Sequence, residues 1–244
     1  MITETTTRRS GVAALAVRSL GWLLISAGAL MLLYLVWLLW FTGFETRVEQ
    51  QKILGEFEGF GVAQTDGSLL GGQGADNPTI TDGDLDADGN PLDGSALAVI
   101  EFERPGSDKP PVSDVPLGVV EGTSLAALTR GPGHYASTAL PGQTGNFAIA
   151  GHRTTNDAPF YNLDQLVPGD LIHVTDRAGE RFTYEVLDET RGGGAPGQNI
   201  VLPTETWVLD RDPIGIGAPL MTMSTCHPRF SATYRLVIFA KLVS

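Results

Sequence analysis

Leu220-Met221-Thr222-Met223-Ser224-Thr225-Cys226-His227-Pro228-Arg229-Phe230-Ser231-Ala232-Thr233-Tyr234-Arg235-Leu236-Val237-Ile238-Phe239-Ala240 holds two apolar runs parted by residues 227–233. Both runs are short and rich in β-formers, so each reads as a strand, and the short connection makes them an antiparallel pair. That pairing sets Arg235, which opens the last strand, beside Cys226, which ends the one before it. His227 directly follows Cys226, so on a continuing strand its side chain points to the opposite face.

The same texture extends back to about Ala96. Further β-type runs at 96–102, 117–120, 146–150, 170–175, 181–187 and 206–209 are separated by Gly and Pro turns. Asp176-Arg177-Ala178-Gly179-Glu180 reads as a hairpin turn, with Gly179 supplying a positive φ. Only residues 125–128 and 160–166 look helical. Eight strands in about 150 residues predict an all-β closed barrel or sandwich, of undetermined topology.

Ahead of this domain the composition changes twice. Residues 45–95 open with a polar, helix-compatible stretch and become rich in Gly and Asp with few aromatics, which predicts a disordered spacer. Within it, Asp84-Leu85-Asp86-Ala87-Asp88-Gly89-Asn90 matches the first half of an EF-hand loop, but position 12 is Ser95 and not the bidentate Glu. The stretch reads as a solvated acidic spacer that like charges extend. Residues 19–44 carry no charge and are long enough, as a helix, to cross a bilayer, with Trp22 at one end and Trp37 and Trp40 at the other. No small-x-small cleavage site follows, so the segment reads as an uncleaved anchor. Arg8, Arg9 and Arg18 precede it and acids follow, which predicts that residues 1–18 are cytoplasmic and that everything beyond about residue 45 is outside.

The 244 residues include 28 acids against 16 bases, a net charge of −12. Such a balance argues against nucleic-acid binding, which needs clustered Lys and Arg. Most of the charge lies in residues 45–117, with 15 acids and 4 bases, so the remaining domain is close to balanced. One cysteine cannot form an internal disulfide. In an exported chain a lone Cys at a strand end is a candidate nucleophile, given a histidine and a cation nearby; the alternative is a buried structural thiol. Of four histidines, His227 points away, His173 sits on the solvent-facing side of a hairpin strand, and His134 lies in a turn. His152 follows the buried run Asn146-Phe147-Ala148-Ile149-Ala150 at the mouth of a strand, where β scaffolds carry their active sites. Arg235 is the candidate cation and Arg229 its competitor.

These residues resemble the sortases, membrane-anchored cysteine transpeptidases of the Gram-positive cell wall. The resemblance rests on Thr225-Cys226 after an apolar strand, on Arg235 nine residues later, and on Gly151-His152-Arg153 followed by Pro159-Phe160-Tyr161-Asn162-Leu163-Asp164-Gln165-Leu166 and Gly169-Asp170. It covers residues 96–244, in order. Thr-Cys-x-Pro at Thr225 to Pro228, the short interval to Arg235, and Gly131-Pro132-Gly133-His134-Tyr135 look most like class E, with classes D and F as alternatives. The resemblance implies an eight-stranded sortase barrel. In it Cys226 attacks the Thr–Gly bond of an LPxTG-like or LAxTG-like sorting signal on a secreted protein, and an amine of a peptidoglycan precursor resolves the thioester. His152 is implied as general acid and base, Arg235 as oxyanion and substrate stabiliser, and Tyr135 and Thr225 as groove residues, with a packing role as the alternative for Tyr135. No metal or other cofactor is implied. The rival readings are another exported Cys/His cell-wall enzyme, such as a peptidoglycan amidase or an L,D-transpeptidase, and a non-catalytic anchored β module.

Overall fold

The computed structural model describes residues 8–57 and 91–244. The chain divides into two compact units, Met1–Thr42 and Gly43–Ser244. Helix α1 (Arg8–Glu56) supplies the described part of the first unit and the opening turns of the second. Its stretch Leu15–Trp37 is 23 residues long and has no buried share, which makes it a candidate single-pass membrane anchor. At about 1.5 Å per residue it is roughly 35 Å long, enough for a hydrocarbon core of about 30 Å.

The second unit is built on β1 (Ala96–Glu103), β2 (Leu117–Glu121), β3 (Gly133–His134), β4 (Asn146–Ala150), β5 (Leu171–Asp176), β6 (Arg181–Val186), β7 (Gln198–Val201), β8 (Leu220–His227) and β9 (Tyr234–Leu242), with the short helix α2 (Leu125–Arg130) after β2. The spatial order is β6-β5-β1-β2-β3-β4-β8-β9-β7, and a further β6–β9 pairing closes the sheet on itself. The result is the eight-stranded barrel, all-β with few short helices, to which the two-residue β3 adds a bridge. β2–β3 and β4–β8 are parallel, and the other pairs are antiparallel. Asp176 Oδ1 accepts from the amides of Ala178 and Glu180, which shapes the β5–β6 turn.

Two strands read as nearly continuous apolar runs because both of their faces are covered. Ala98, Ile100 and Phe102 of β1 and Leu236, Ile238 and Ala240 of β9 fill the interior with Phe147, Ile149, Met221 and Met223. Outside, Ala96 and Val99 of β1 and Val120 of β2 pack on Ile53 of α1 and on Phe57 just past its end. Val237 and Phe239 of β9 pack on Val201, Trp207 and Val208. Gln50 fastens the end of α1. Its Nε2 donates to the carbonyls of Gly118 (2.9 Å) and Arg130 (2.7 Å), and its Oε1 accepts from the Gly118 amide (2.8 Å).

Two elements differ from the sequence reading. The spacer was expected from residue 45, yet residues 46–56 are helical and Thr46, Ile53 and Phe57 are buried. The rest of the expected spacer, residues 58–90 with the EF-hand-like run at 84–90, lies outside the described residues. Residues 206–209 form a 3-10 turn and not a strand, and β7 takes that place in the sheet. The apolar side chains of the turn pack on Val237 and Phe239 of β9, and Asn146 Nδ2 donates to the carbonyls of Val208 and of Asp210 just past the turn (3.0 and 3.1 Å).

Candidate active site

β8 and β9 run in the register Cys226↔Arg235, so these two side chains share the outer face of the barrel. On the other edge of β8 lies β4, parallel, with Ala150↔Ser224 and Gly151 N donating to Ser224 O (3.0 Å). His152 follows directly after that bond. The register thus sets Cys226 and Arg235 side by side and brings the segment that bears His152 to the neighbouring edge of the same strand end.

Each is held locally. Thr225 is 3% exposed and its hydroxyl donates to Gly151 O (2.8 Å), which ties the Cys226 strand to the segment bearing His152. Expected as a groove residue, Thr225 instead faces inward and has its one donor committed. His152 O accepts from Phe160 N (3.0 Å). Beyond it, Asn156, Asp157 and Ala158 are three consecutive non-glycine residues at φ of 49°, 56° and 49°, a left-handed turn that Ala158 N closes onto Thr155 O (2.8 Å). Strain of this kind gathers at functional sites. Arg47 Nε reaches this turn at Asp157 Oδ1 (2.9 Å).

His152 is half-buried, and burial pulls its pKa below 6.5, favouring the neutral imidazole. Cys226 is a free, half-buried thiol. Arg235 is half-buried and, among the described residues, donates to the main-chain carbonyls of Ala232 and Tyr234, both at 3.1 Å. Arg229 is occupied: it donates to Asp164 Oδ1 (2.8 Å) and to Tyr161 O (3.3 Å) and stacks 4.4 Å over the Tyr161 ring. Of the two rival cations, Arg235 is the one left without a carboxylate among the described residues. Tyr135, half-buried, reaches Ser224 Oγ (3.4 Å) on the same outer face as Cys226. Next to it His134 is no loop residue: it is 1% exposed, with Nδ1 on Glu121 Oε2 (2.8 Å) and Nε2 near Thr138 Oγ1 (3.0 Å) and Ala139 O (3.1 Å). His173 lies away from the site, on Glu103 (2.8 Å).

Sequence reasoning missed Arg153. It is 3% exposed, with Nη1 on Cys226 O (3.2 Å) and His227 Nδ1 (3.1 Å) and Nη2 on Asp164 Oδ2 (2.9 Å). Burial pulls its pKa down, against the pull of Asp164. The available signal was its place directly after His152. A half-buried thiol beside a cation that holds no carboxylate, with an imidazole on the adjoining segment, suits acyl transfer through a thioester.

A family model described as a sortase domain matches residues 110–243. Sortase SrtE1 of Streptomyces coelicolor is 28% identical over 249 residues, an alignment that covers 97% of this chain and 60% of that protein's length. Sortase SrtE2 of the same organism is 30% identical over 255 residues, covering 97% of this chain and 86% of that protein. The solved structure of sortase E from Streptomyces avermitilis is 34% identical, covers 63% of this chain and 91% of that one, and superposes with a TM-score of 0.50.

Proposed function

The chain belongs to the sortase family of cysteine transpeptidases and is most like class E, and from that premise we propose that it cuts a sorting signal of LPxTG or LAxTG type between Thr and Gly and joins the new acyl end to an amine of a peptidoglycan precursor. The observation that supports this most is the register of β8 with β9, in which Cys226 pairs with Arg235, together with that of β4 with β8, which ends two residues before His152. In this reading His152 takes the Cys226 thiol proton as the sulfur attacks the threonine carbonyl carbon, and the developing oxyanion takes the free donors of Arg235. The imidazolium so formed gives that proton to the departing glycine amine as the C–N bond breaks and the thioester remains. The incoming amine then attacks the thioester and His152 removes its proton. The new amide leaves and His152 returns the proton to the Cys226 sulfur, which restores the thiol. Tyr135, on the same face, lines the groove for the signal.

Residues 19–44 then act as the anchor, with the basic N-terminus in the cytoplasm and residues 96–244 outside as the catalytic domain. The test uses the full chain in detergent with LPxTG and LAxTG peptides, read by intact mass for the acyl adduct and by peptide turnover. Cys226→Ala abolishes the adduct. His152→Ala and Arg235→Ala each lower kcat/KM, by roughly 10²- to 10³-fold. An adduct formed without Cys226 overturns the reading. Full activity without Arg235 removes only its assigned role.

A further inference from the structure

The β4–β8 ladder stops at the Gly151–Ser224 bond. In a parallel ladder that continued, the amide of residue 153 would take the carbonyl of residue 226, two positions on. Here the guanidinium of residue 153 takes it (3.2 Å). The same Nη1 meets His227 Nδ1 (3.1 Å), and since Arg only donates, Nδ1 must carry a lone pair and His227 must be the neutral tautomer protonated at Nε2. Asp164 holds the far side of the fork and shares its second oxygen with Arg229. A 3%-exposed cation thus grips the main chain and side chain on either side of the Cys226 peptide unit.

We propose that Arg153 is a positioning residue for the reaction: its guanidinium clamps the Cys226 carbonyl and the His227 ring, and so fixes the end of β8 from which the thiol projects. This rests on Cys226 being the nucleophile. The clamp replaces the ladder where β4 has to leave β8 to present His152, so it is the means by which the strand stays ordered while the histidine segment peels away. Its setting is charged on several sides. Arg153 faces Asp164, Arg229, Tyr161 and Cys226 and follows His152 in the chain; His227 faces Arg153 and Asp164, pairs across with Tyr234, and lines a hollow of about 500 Å³ with Glu205. Burial and the nearby Arg153 cation keep His227 below its ordinary pKa, consistent with the neutral tautomer that the clamp needs.

The experiment uses the full chain in detergent with four variants: Arg153→Met, Arg153→Lys, His227→Leu and His227→Asn. Asn offers an acceptor near the place of Nδ1 and Leu offers none. Two readouts are taken: the rate of Cys226 alkylation by iodoacetamide at one fixed pH of about 8, which needs no peptide, and kcat and KM on an LAxTG peptide. The expected result is that folded Arg153→Met, with the strand end released, changes its alkylation rate at least about threefold and loses at least about tenfold in kcat with KM nearly kept. Arg153→Lys, a point charge without the fork, restores kcat only in part. His227→Asn exceeds His227→Leu in kcat by about tenfold or more. Equal rates for the two His227 variants, or an Arg153→Met chain with the alkylation rate and kcat of the wild type, overturn the proposal. If Arg153→Met does not fold, the His227 pair decides. If the wild-type chain turns over no peptide, the transpeptidase reading fails, and the alkylation rates still judge the clamp.

Discussion

A Cβ at position 151 would lie 2.5 Å from the Phe160 ring, so only glycine lets the chain turn from β4 into His152 beneath that ring. Gly151→Ala is expected to cost about 1–3 kcal/mol in a urea melt. By displacing His152 it should also lower peptide turnover at least about tenfold. A variant with unaltered turnover would show that Phe160, and not the backbone, gives way. Asp164 has a different kind of leverage, because one carboxylate serves two arginines. Asp164→Asn leaves the buried Arg153 without its counter-charge, a change that costs roughly 3–5 kcal/mol when one partner of a buried pair is lost. The loss would appear as a large fall in denaturation midpoint, with Arg229→Ala, at a more exposed pair, falling much less.

The left-handed turn at residues 156–158 belongs to the scale of elements. Ala158 holds a conformation that costs an L-residue about 1–2 kcal/mol and that glycine adopts freely. Ala158→Gly should therefore raise the thermal midpoint by about 2–4 °C in a domain of this size; a drop would mean that the methyl makes a packing contact worth more than the strain. The elements legible in the sequence were those whose pattern is local. The Cys226 and Arg235 strands, the end of β4 and the Asp176 turn each declare themselves within ten residues. Trp207-Val208-Leu209 misled because its apolar content serves to cover β9 and not to join it. β7 was hidden because Asn199, fully buried, reads as polar; its Nδ2 donates to Glu189 O (2.8 Å) and Val237 O (3.4 Å), partners 10 and 38 residues away. Arg153 was hidden for the same reason, its partners lying 73 and 74 residues away. Residues 46–57 read as the start of a spacer because most of them are polar, yet Ile53, Phe57 and Gln50 suffice to dock the helix end.

Across the whole molecule, protons link stability to the site. His152 and His227 both have pKa values held below 6.5 by burial, so each binds protons more weakly folded than unfolded. Their contribution is fully present above about pH 6.5, the unfolded value, and is lost as pH falls through the lowered folded values. The thermal midpoint should thus be level from about pH 7 to 8 and decline below about pH 6.5, and the decline should be shallower in a His152→Gln, His227→Asn double variant. An equally steep decline in that variant would assign the linkage to carboxylates. β9 has a consequence of another kind, in time. It pairs with β6, β7 and β8 and carries Arg235, so neither the closed wall nor the neighbour of Cys226 exists until residues 234–242 have been delivered. A chain emerging N-terminus first exposes its thiol before it owns a working centre, and contacts of such long sequence separation form late. Having no second cysteine, it passes through that interval with no wrong internal disulfide to make.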